Sequence, residues 1–117
     1  MRWIKLYLNE SLRGSIRFTL TMEEQGIWFN LLCLAGESRM PGIIQASPDI
    51  AYPISFVAAQ LRISKKLLEK TLVKFEEQER ITNDVDGIHI VNWYKYQSDY
   101  NRQKKYRKPK ETEEIPF

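Results

Sequence analysis

An Asp86-Gly87 pair separates two short runs of apolar residues, and no other feature constrains the fold of this chain as tightly. Asp-Gly is the sequence signal of a two-residue type I′ turn, which joins adjacent antiparallel strands. The pattern therefore predicts a β-hairpin that turns at Asp86-Gly87. The apolar residues that flank this turn are Ile81, Val85, Ile88, Ile90 and Trp93.

A capping-box pattern marks the start of a helix earlier in the chain. Thr21 can cap the helix, Glu24 stands three residues later, and Gly36 lies near the other end. The apolar residues between them form a stripe wide enough to be buried against other elements. The next apolar run, GIIQA at residues 42–46, is short and β-branched, so it predicts a brief strand.

Two further helices are predicted after the proline-containing stretch SPDIAYP. The run ISFVAAQLR has apolar side chains at helical spacing for about two turns. Ser64 can then cap a longer helix, KKLLEKTLVKFEEQER, which is heavily charged away from its apolar face. The side chains expected to face the core are Ile54, Val57, Ala58, Leu61, Leu68, Leu72 and Phe75.

The predicted order of elements is helix, short strand, helix, longer helix and hairpin, which is the order of a winged helix-turn-helix. We therefore predict a mostly helical α+β fold with a basic helical extension at its C-terminal end. The expected divisions are a winged-helix domain in residues 1–94, a basic and partly helical extension in 95–110, and an acidic disordered end in 111–117. The runs WIKLYL and SIRFTL do not distinguish strand from helix, so the conformation of residues 11–20 stays open.

Charge is distributed unevenly along the sequence. Residues 1–94 hold eleven Lys/Arg and eleven Asp/Glu, whereas residues 95–110 hold seven Lys/Arg against Asp99 alone. A neutral body with a basic arm is one expected layout for a protein that binds a polyanion. The competing interpretation of the arm is a charged extension that only adds solubility.

Two groups of residues are predicted to contact DNA. The later helix of a helix-turn-helix enters the major groove with its N-terminal residues near base edges. A basic extension binds phosphates, with an affinity that falls steeply with salt and carries little sequence information. The competing interpretation of the helix is a solvated face with weak surface ion pairs. The predicted contacts are Arg62, Ser64, Lys65, Lys66 and Lys70 in the helix-turn-helix, and Arg102, Lys104, Lys105, Arg107 and Lys108 in the extension.

The sequence offers no constellation for catalysis, a cofactor or a metal. It lacks a glycine-rich phosphate loop and any paired His/Cys motif, so we expect a non-enzymatic protein without cofactors. His89 alternates with Ile88 and Ile90 and is expected on the solvated face of its strand. The acidic tip of the hairpin, with Asn83 and Asp84 ahead of the turn, is a poor phosphate contact, so a structural role is expected for it.

The single cysteine and the tryptophans are expected in the core. Cys33 cannot form an intramolecular disulfide, which favours the cytoplasm as the compartment. No apolar run approaches the roughly 18 residues of a membrane span. The tryptophans are Trp3, Trp28 and Trp93.

A family resemblance runs through about residues 2–108. The stretches WIKLYLNE, IWFNLLCLAGES with the following GII, LLEKTLVKFEEQERI, DGIHIVNWYKYQ and NRQKKYRK, in this order, resemble the N-terminal domain of phage replisome organisers. These replication initiation proteins are related in architecture to the DnaD-type primosomal proteins of Gram-positive bacteria. The resemblance implies a winged-helix domain that binds double-stranded DNA of the phage replication origin and helps recruit the host helicase through its loader. Family members usually continue into a C-terminal region that engages partners, so the resemblance also implies a fragment or a shortened protein.

Two other functions remain open at this stage. One is a winged-helix transcriptional regulator, which would bind an operator near a promoter. The other is a protein-interaction module of a primosome, which would not contact DNA and in which the basic extension adds only solubility. The sequence leaves open the DNA sequence recognised, the host, and whether the chain forms a homo-oligomer.

Overall fold

Six helices and three short strands make up residues 1–97, the part of the chain that the computed structural model describes. The fold is α+β and mostly helical, with one antiparallel sheet in the strand order β1-β3-β2. This architecture is compatible with the predicted winged helix-turn-helix. The elements are α1 (Leu8–Arg13), α2 (Ser15–Thr19), α3 (Met22–Glu37), β1 (Ile43–Ile44), α4 (Ile54–Leu61), α5 (Lys65–Glu77), β2 (Ile81–Asp84), β3 (Gly87–Ile90) and α6 (Trp93–Gln97).

The predicted capping box forms at the start of α3. The Glu24 backbone N–H donates to Thr21 Oγ1 at 3.1 Å, and the Thr21 backbone N–H donates to Glu24 Oε1 at 2.9 Å. These two bonds satisfy donors that would otherwise have no acceptor at a helix N-terminus. The apolar stripe of α3 is buried as predicted, with Leu31 and Ala35 fully inaccessible to solvent.

Helices α4 and α5 form the predicted pair, joined by a three-residue turn. Arg62 ends α4 in the left-handed conformation, with φ 59° and ψ 44°, and its N–H donates to carbonyls of the last turn of α4. Ser64 caps α5 by accepting a hydrogen bond from the Leu67 N–H at 3.1 Å. The residues buried on the two helices are Val57, Ala58, Leu68, Thr71, Leu72 and Phe75.

The β2–β3 hairpin, which is called the wing below, forms with a turn one residue earlier than predicted. Asp84 pairs with Gly87, so Val85 and Asp86 occupy the tip, and neither has a positive φ. The type I′ prediction was therefore wrong. Gly87 is instead the first residue of β3. It has a φ of +145°, and a Cβ at this position would lie 2.5 Å from the backbone oxygen of Ile44, so only glycine fits without strain. The requirement for glycine at position 87 thus comes from the close approach of β1, which the local pattern does not contain.

Two of the expected core residues lie on the surface. Cys33 is exposed because it stands two residues after buried Leu31, about 200° around the helix. Trp3 is 58% exposed, since it lies in the irregular segment before α1. The predictions for both were wrong, whereas Trp28 and Trp93 are buried as expected.

The beginning of the chain packs beside the last described helix, α6. The Lys5 N–H donates to Gln97 Oε1 at 2.8 Å, and the Tyr7 hydroxyl donates to the Tyr96 carbonyl at 2.7 Å. The open segment of residues 11–20 is mostly helical: it contains the end of α1 and the whole of α2, with Gly14 between them. None of the helices in residues 1–97 is long and apolar enough to cross a membrane.

Candidate nucleic-acid interface

The N-terminal end of α5 points free donors and cations toward solvent. Ser64 satisfies one of the first backbone N–H groups, and the others remain available to an acceptor from outside. The aligned peptide dipoles add partial positive charge at this end. Lys65 and Lys66 occupy the first two helical positions, and Ser64, Lys65 and Lys66 are all exposed. A helix end of this kind is suited to binding phosphate oxygens.

Packing on the opposite side of α5 fixes which residues face outward. Leu68, Leu72 and Phe75 are buried in the core, and the Thr71 hydroxyl donates to the Leu67 carbonyl at 2.8 Å. Lys70 is therefore exposed on the outer face, one helical turn after Lys66. The two lysines project from the same side of the helix.

All five residues predicted in the helix-turn-helix lie at the surface in one continuous segment. Arg62 lies in the turn that joins α4 to α5 and is exposed like the others. The structure thus brings Arg62, Ser64, Lys65 and Lys66 to the beginning of α5, with Lys70 one turn further along. Their contact with DNA stays a prediction.

A different lysine of α5, Lys74, forms an ion pair within the protein. Lys74 Nζ lies 2.7 Å from Glu24 Oε1. This ion pair connects α5 to the first turn of α3. The hydrogen bond from Lys74, followed by the one from the Thr21 backbone, lowers the pKa of Glu24 below its ordinary value. Beyond this pair the exposed carboxylates of Glu76, Glu77 and Glu79 make the far end of α5 acidic.

The tip of the wing brings together three side chains that the sequence did not connect. His89 Nε2 lies 2.9 Å from Asp86 Oδ1 and 3.6 Å from Asp84 Oδ2. The hydrogen bond with His89 lowers the pKa of Asp86. Each residue offers one atom that could bind a metal ion, and these three atoms lie within 4.8 Å of one another. Within residues 1–97 this is the group of three or more metal-ligating side chains that lie so close together. The register of the hairpin, rather than spacing in sequence, creates the cluster.

The predicted contacts of the extension lie outside the described residues. The part of the extension within them is short, since α6 ends at Gln97, where Lys95 Nζ lies 5.7 Å from the centre of the Tyr96 ring. The structure therefore places none of the second group of predicted contacts, which is Arg102, Lys104, Lys105, Arg107 and Lys108.

One outward-facing residue of α5 was missed by sequence reasoning. Val73 lies on the same side of the helix as Lys70 and is 54% exposed. Its signal was present in the sequence, because Val73 stands three residues after Lys70 and between the buried positions Leu72 and Phe75. The apolar residues on both sides of Val73 concealed that it faces solvent and not the core.

Comparison with known families gives one finding that covers most of the chain. The family model described as the N-terminal phage replisome organiser matches residues 3–114. Comparison with curated proteins and with solved structures gives no match. The matched residues include the whole of the α4-turn-α5 segment, the wing and the basic extension.

Proposed function

This chain belongs to the family of N-terminal phage replisome organiser domains, and on that premise we propose that it is the DNA-binding domain of a phage replication initiator. Membership of the family supports a role in the initiation of phage replication. In our proposal the domain binds double-stranded origin DNA without catalysis, in the cytoplasm of the host. It also helps to recruit the helicase-loading machinery of the host.

The observation that carries the proposal is the exposed basic beginning of α5. Lys65 and Lys66 occupy the first two positions of α5. Arg62 precedes them in the turn, and Lys70 follows one helical turn after Lys66. Base edges in the major groove accept hydrogen bonds from lysine, and nearby phosphates accept them from backbone N–H groups. The acidic end of α5 would then point away from the phosphate backbone.

The wing and the extension have different roles in this proposal. The carboxylates of Asp84 and Asp86 repel phosphate, so the wing supports the fold and does not bind DNA. The extension carries a high density of cations, which release counterions when they approach phosphates. It would add affinity for any duplex, while α5 would supply the preference for one sequence.

The experiment that tests the proposal measures fluorescence anisotropy of labelled duplexes tiled across the phage genome around the gene. The full chain is expected to bind one or a few of these duplexes more tightly than the rest. Replacing Lys65→Ala together with Lys66→Ala should weaken specific binding by about 1 to 3 kcal/mol, because alanine cannot donate hydrogen bonds in the groove.

The matched control is Arg2→Ala together with Arg13→Ala. It removes the same formal charge from exposed positions in the segment before α3. Specific binding should change by much less than in the Lys65/Lys66 variant. Equal weakening in the two variants would mean that only net charge matters, and unchanged binding in the Lys65/Lys66 variant would remove α5 from the interface.

A protein-interaction module is the second candidate, and the apolar side chains exposed between α1 and the start of α3 favour it. Leu8 and Leu12 lie one turn apart on α1, and Phe18 and Met22 follow; all four are about half exposed or more. Apolar side chains exposed in this number are common at protein contacts. If no duplex binds, co-sedimentation with the purified host helicase loader would test this candidate. The Leu8→Ser/Leu12→Ser variant should then no longer sediment with the loader.

A further inference from the structure

The outer face of α5 carries four exposed side chains in one helical stripe. They stand at positions i, i+3, i+4 and i+7, so they project from the same side over two turns. A helix that lies in the major groove reads bases through side chains with this spacing. The four residues, called the outer stripe below, are Lys66, Glu69, Lys70 and Val73.

Val73 is the apolar member of the outer stripe and lies outside the core. The core is filled from α5 by Leu68, Leu72 and Phe75, whereas Val73 leaves more than half of its surface in water. A β-branched residue also lowers helix stability relative to alanine at an exposed position. Val73 is therefore an apolar side chain that the fold leaves accessible to a partner on the outer face of α5.

We propose that Val73 contacts the C5-methyl group of a thymine in the major groove and so selects an A·T base pair in the recognised sequence. The inference rests on the proposed function, because it requires α5 to lie in the groove. Among the base edges of the major groove, the thymine methyl is the apolar group. At any other base the valine would cover a donor or an acceptor without bonding to it.

Charged side chains of both signs stand around Val73. Lys66 and Lys70 stand on the same stripe and can donate to guanine O6 and N7. Carboxylates also stand near Val73: Glu69 lies one turn before it, where it can accept from cytosine N4, and the acidic end of α5 begins one turn after it with Glu76 and Glu77. Along the helix axis Val73 lies about 10 Å beyond Lys66, which corresponds to roughly three base pairs. The thymine is therefore expected within about three base pairs of the position that Lys66 contacts.

The test removes a single methyl group from the DNA. The full chain first selects its preferred sequence from random 20-base-pair duplexes, and each thymine of the enriched duplex is then replaced in turn by deoxyuridine. At one position the substitution should weaken binding about fourfold, as expected when one methyl group is no longer buried. The Val73→Ala chain should bind the thymine and deoxyuridine duplexes equally well at that position.

Val85→Ala is the matched control, because Val85 is an exposed valine at the tip of the wing. This variant should keep the fourfold preference for thymine. A melting curve of Val73→Ala separates recognition from packing: the melting temperature should stay the same or rise, since alanine is the better helix former. A clear fall would assign Val73 to the fold and overturn the inference.

Two results distinguish failure of the inference from failure of the proposed function. If Lys65→Ala/Lys66→Ala weakens binding to the enriched duplex, but Val73→Ala keeps the same thymine preference as the parent chain, only the inference is wrong. The inference is also wrong if the parent chain is insensitive to deoxyuridine at every position. If no duplex is enriched, or the lysine variant binds it unchanged, the proposed function fails and the inference fails with it.

Discussion

At the scale of single residues, Arg62 combines an unfavourable backbone with a charge at the proposed interface. It ends α4 in the left-handed conformation, where glycine is the preferred residue because it has no Cβ. A residue with a Cβ in this conformation costs about 1 to 2 kcal/mol relative to glycine, before the greater flexibility of glycine is counted. The positive charge itself is favourable at the carbonyl end of α4. The cost at Arg62 therefore belongs to its Cβ, and its exposed guanidinium is accessible to a phosphate.

Arg62→Gly should therefore separate stability from binding. We expect the free energy of unfolding to stay the same or rise by up to about 1 kcal/mol, because the left-handed strain is relieved. DNA affinity should fall, because one cation beside α5 is removed. Denaturant unfolding and anisotropy with the preferred duplex measure the two effects.

Glu79→Gly is the matched control for Arg62→Gly. Glu79 also has a positive φ, of 60°, and follows the other end of α5. Its replacement should bring a similar gain in stability without weaker DNA binding. Weaker binding in both glycine variants, or in neither, would contradict a specific role for the Arg62 guanidinium.

At the scale of elements, the ion pair between Glu24 and Lys74 joins α3 to α5. Only 16% of the Glu24 side chain and 35% of the Lys74 side chain are exposed, so the pair is partly shielded from water. Glu24 also accepts the capping bond of α3 from the Thr21 N–H. One carboxylate thus connects the start of α3 to the helix that we propose to enter the groove.

Glu24→Gln should lower stability at neutral pH by about 1 kcal/mol, in the range of partly exposed ion pairs. The pKa of Glu24 is lower in the folded protein than its ordinary value of 4.5, so the unfolded state binds the proton more readily. The stabilisation is fully present above about pH 4.5 and disappears as the pH falls through the folded pKa. Denaturant unfolding across pH 3 to 7 should therefore show the two proteins converging in acid.

Glu23→Gln provides the comparison for this titration. Glu23 lies in the same first turn of α3 and is exposed, so the variant removes a carboxylate near the helix N-terminus but leaves the Lys74 pair intact. It should alter the acid dependence of stability less than Glu24→Gln does. If both variants shift the curve alike, the helix dipole accounts for the effect and the ion pair does not.

At the scale of the whole molecule, the charge balance assigns different tasks to the body and the extension. Residues 1–94 carry equal numbers of acidic and basic side chains, and the excess of cations follows them. The body therefore contributes little long-range attraction to a polyanion, whereas the extension contributes most of it. Affinity and sequence preference should respond to different parts of the chain.

Replacing the five predicted phosphate-binding residues of the extension by glutamine should reduce the salt dependence of binding. Each cation removed from a phosphate should make the slope of log affinity against log salt about 0.9 shallower, so five replacements change it by about 4.5. The ratio of specific to random duplex affinity should stay nearly constant. Anisotropy titrations across a salt series measure both, and a drop confined to the preferred duplex would contradict a phosphate role. The residues replaced are Arg102, Lys104, Lys105, Arg107 and Lys108.

Local sequence signals determined the elements of this fold. The capping residues Thr21 and Ser64 start their helices as predicted, because a cap needs only the three or four residues that follow it. The Asp-Gly pair between two apolar runs predicted the pairing of β2 with β3 for the same reason, although the turn itself lies one residue earlier. The cluster of predicted contacts in the helix-turn-helix was also visible in the sequence, since it lies within nine residues that begin at Arg62.

Only the tertiary structure decided what depends on distant neighbours. The need for glycine at position 87 follows from the approach of β1, and the exposure of Cys33 follows from which side of α3 is packed. The ion pair of Lys74 depends on a carboxylate 50 residues away. The outward direction of Val73 likewise follows from the burial of Leu72 and Phe75. Periodicity reports which residues share a face, but packing between elements determines which face is covered, and that information is spread along the whole chain.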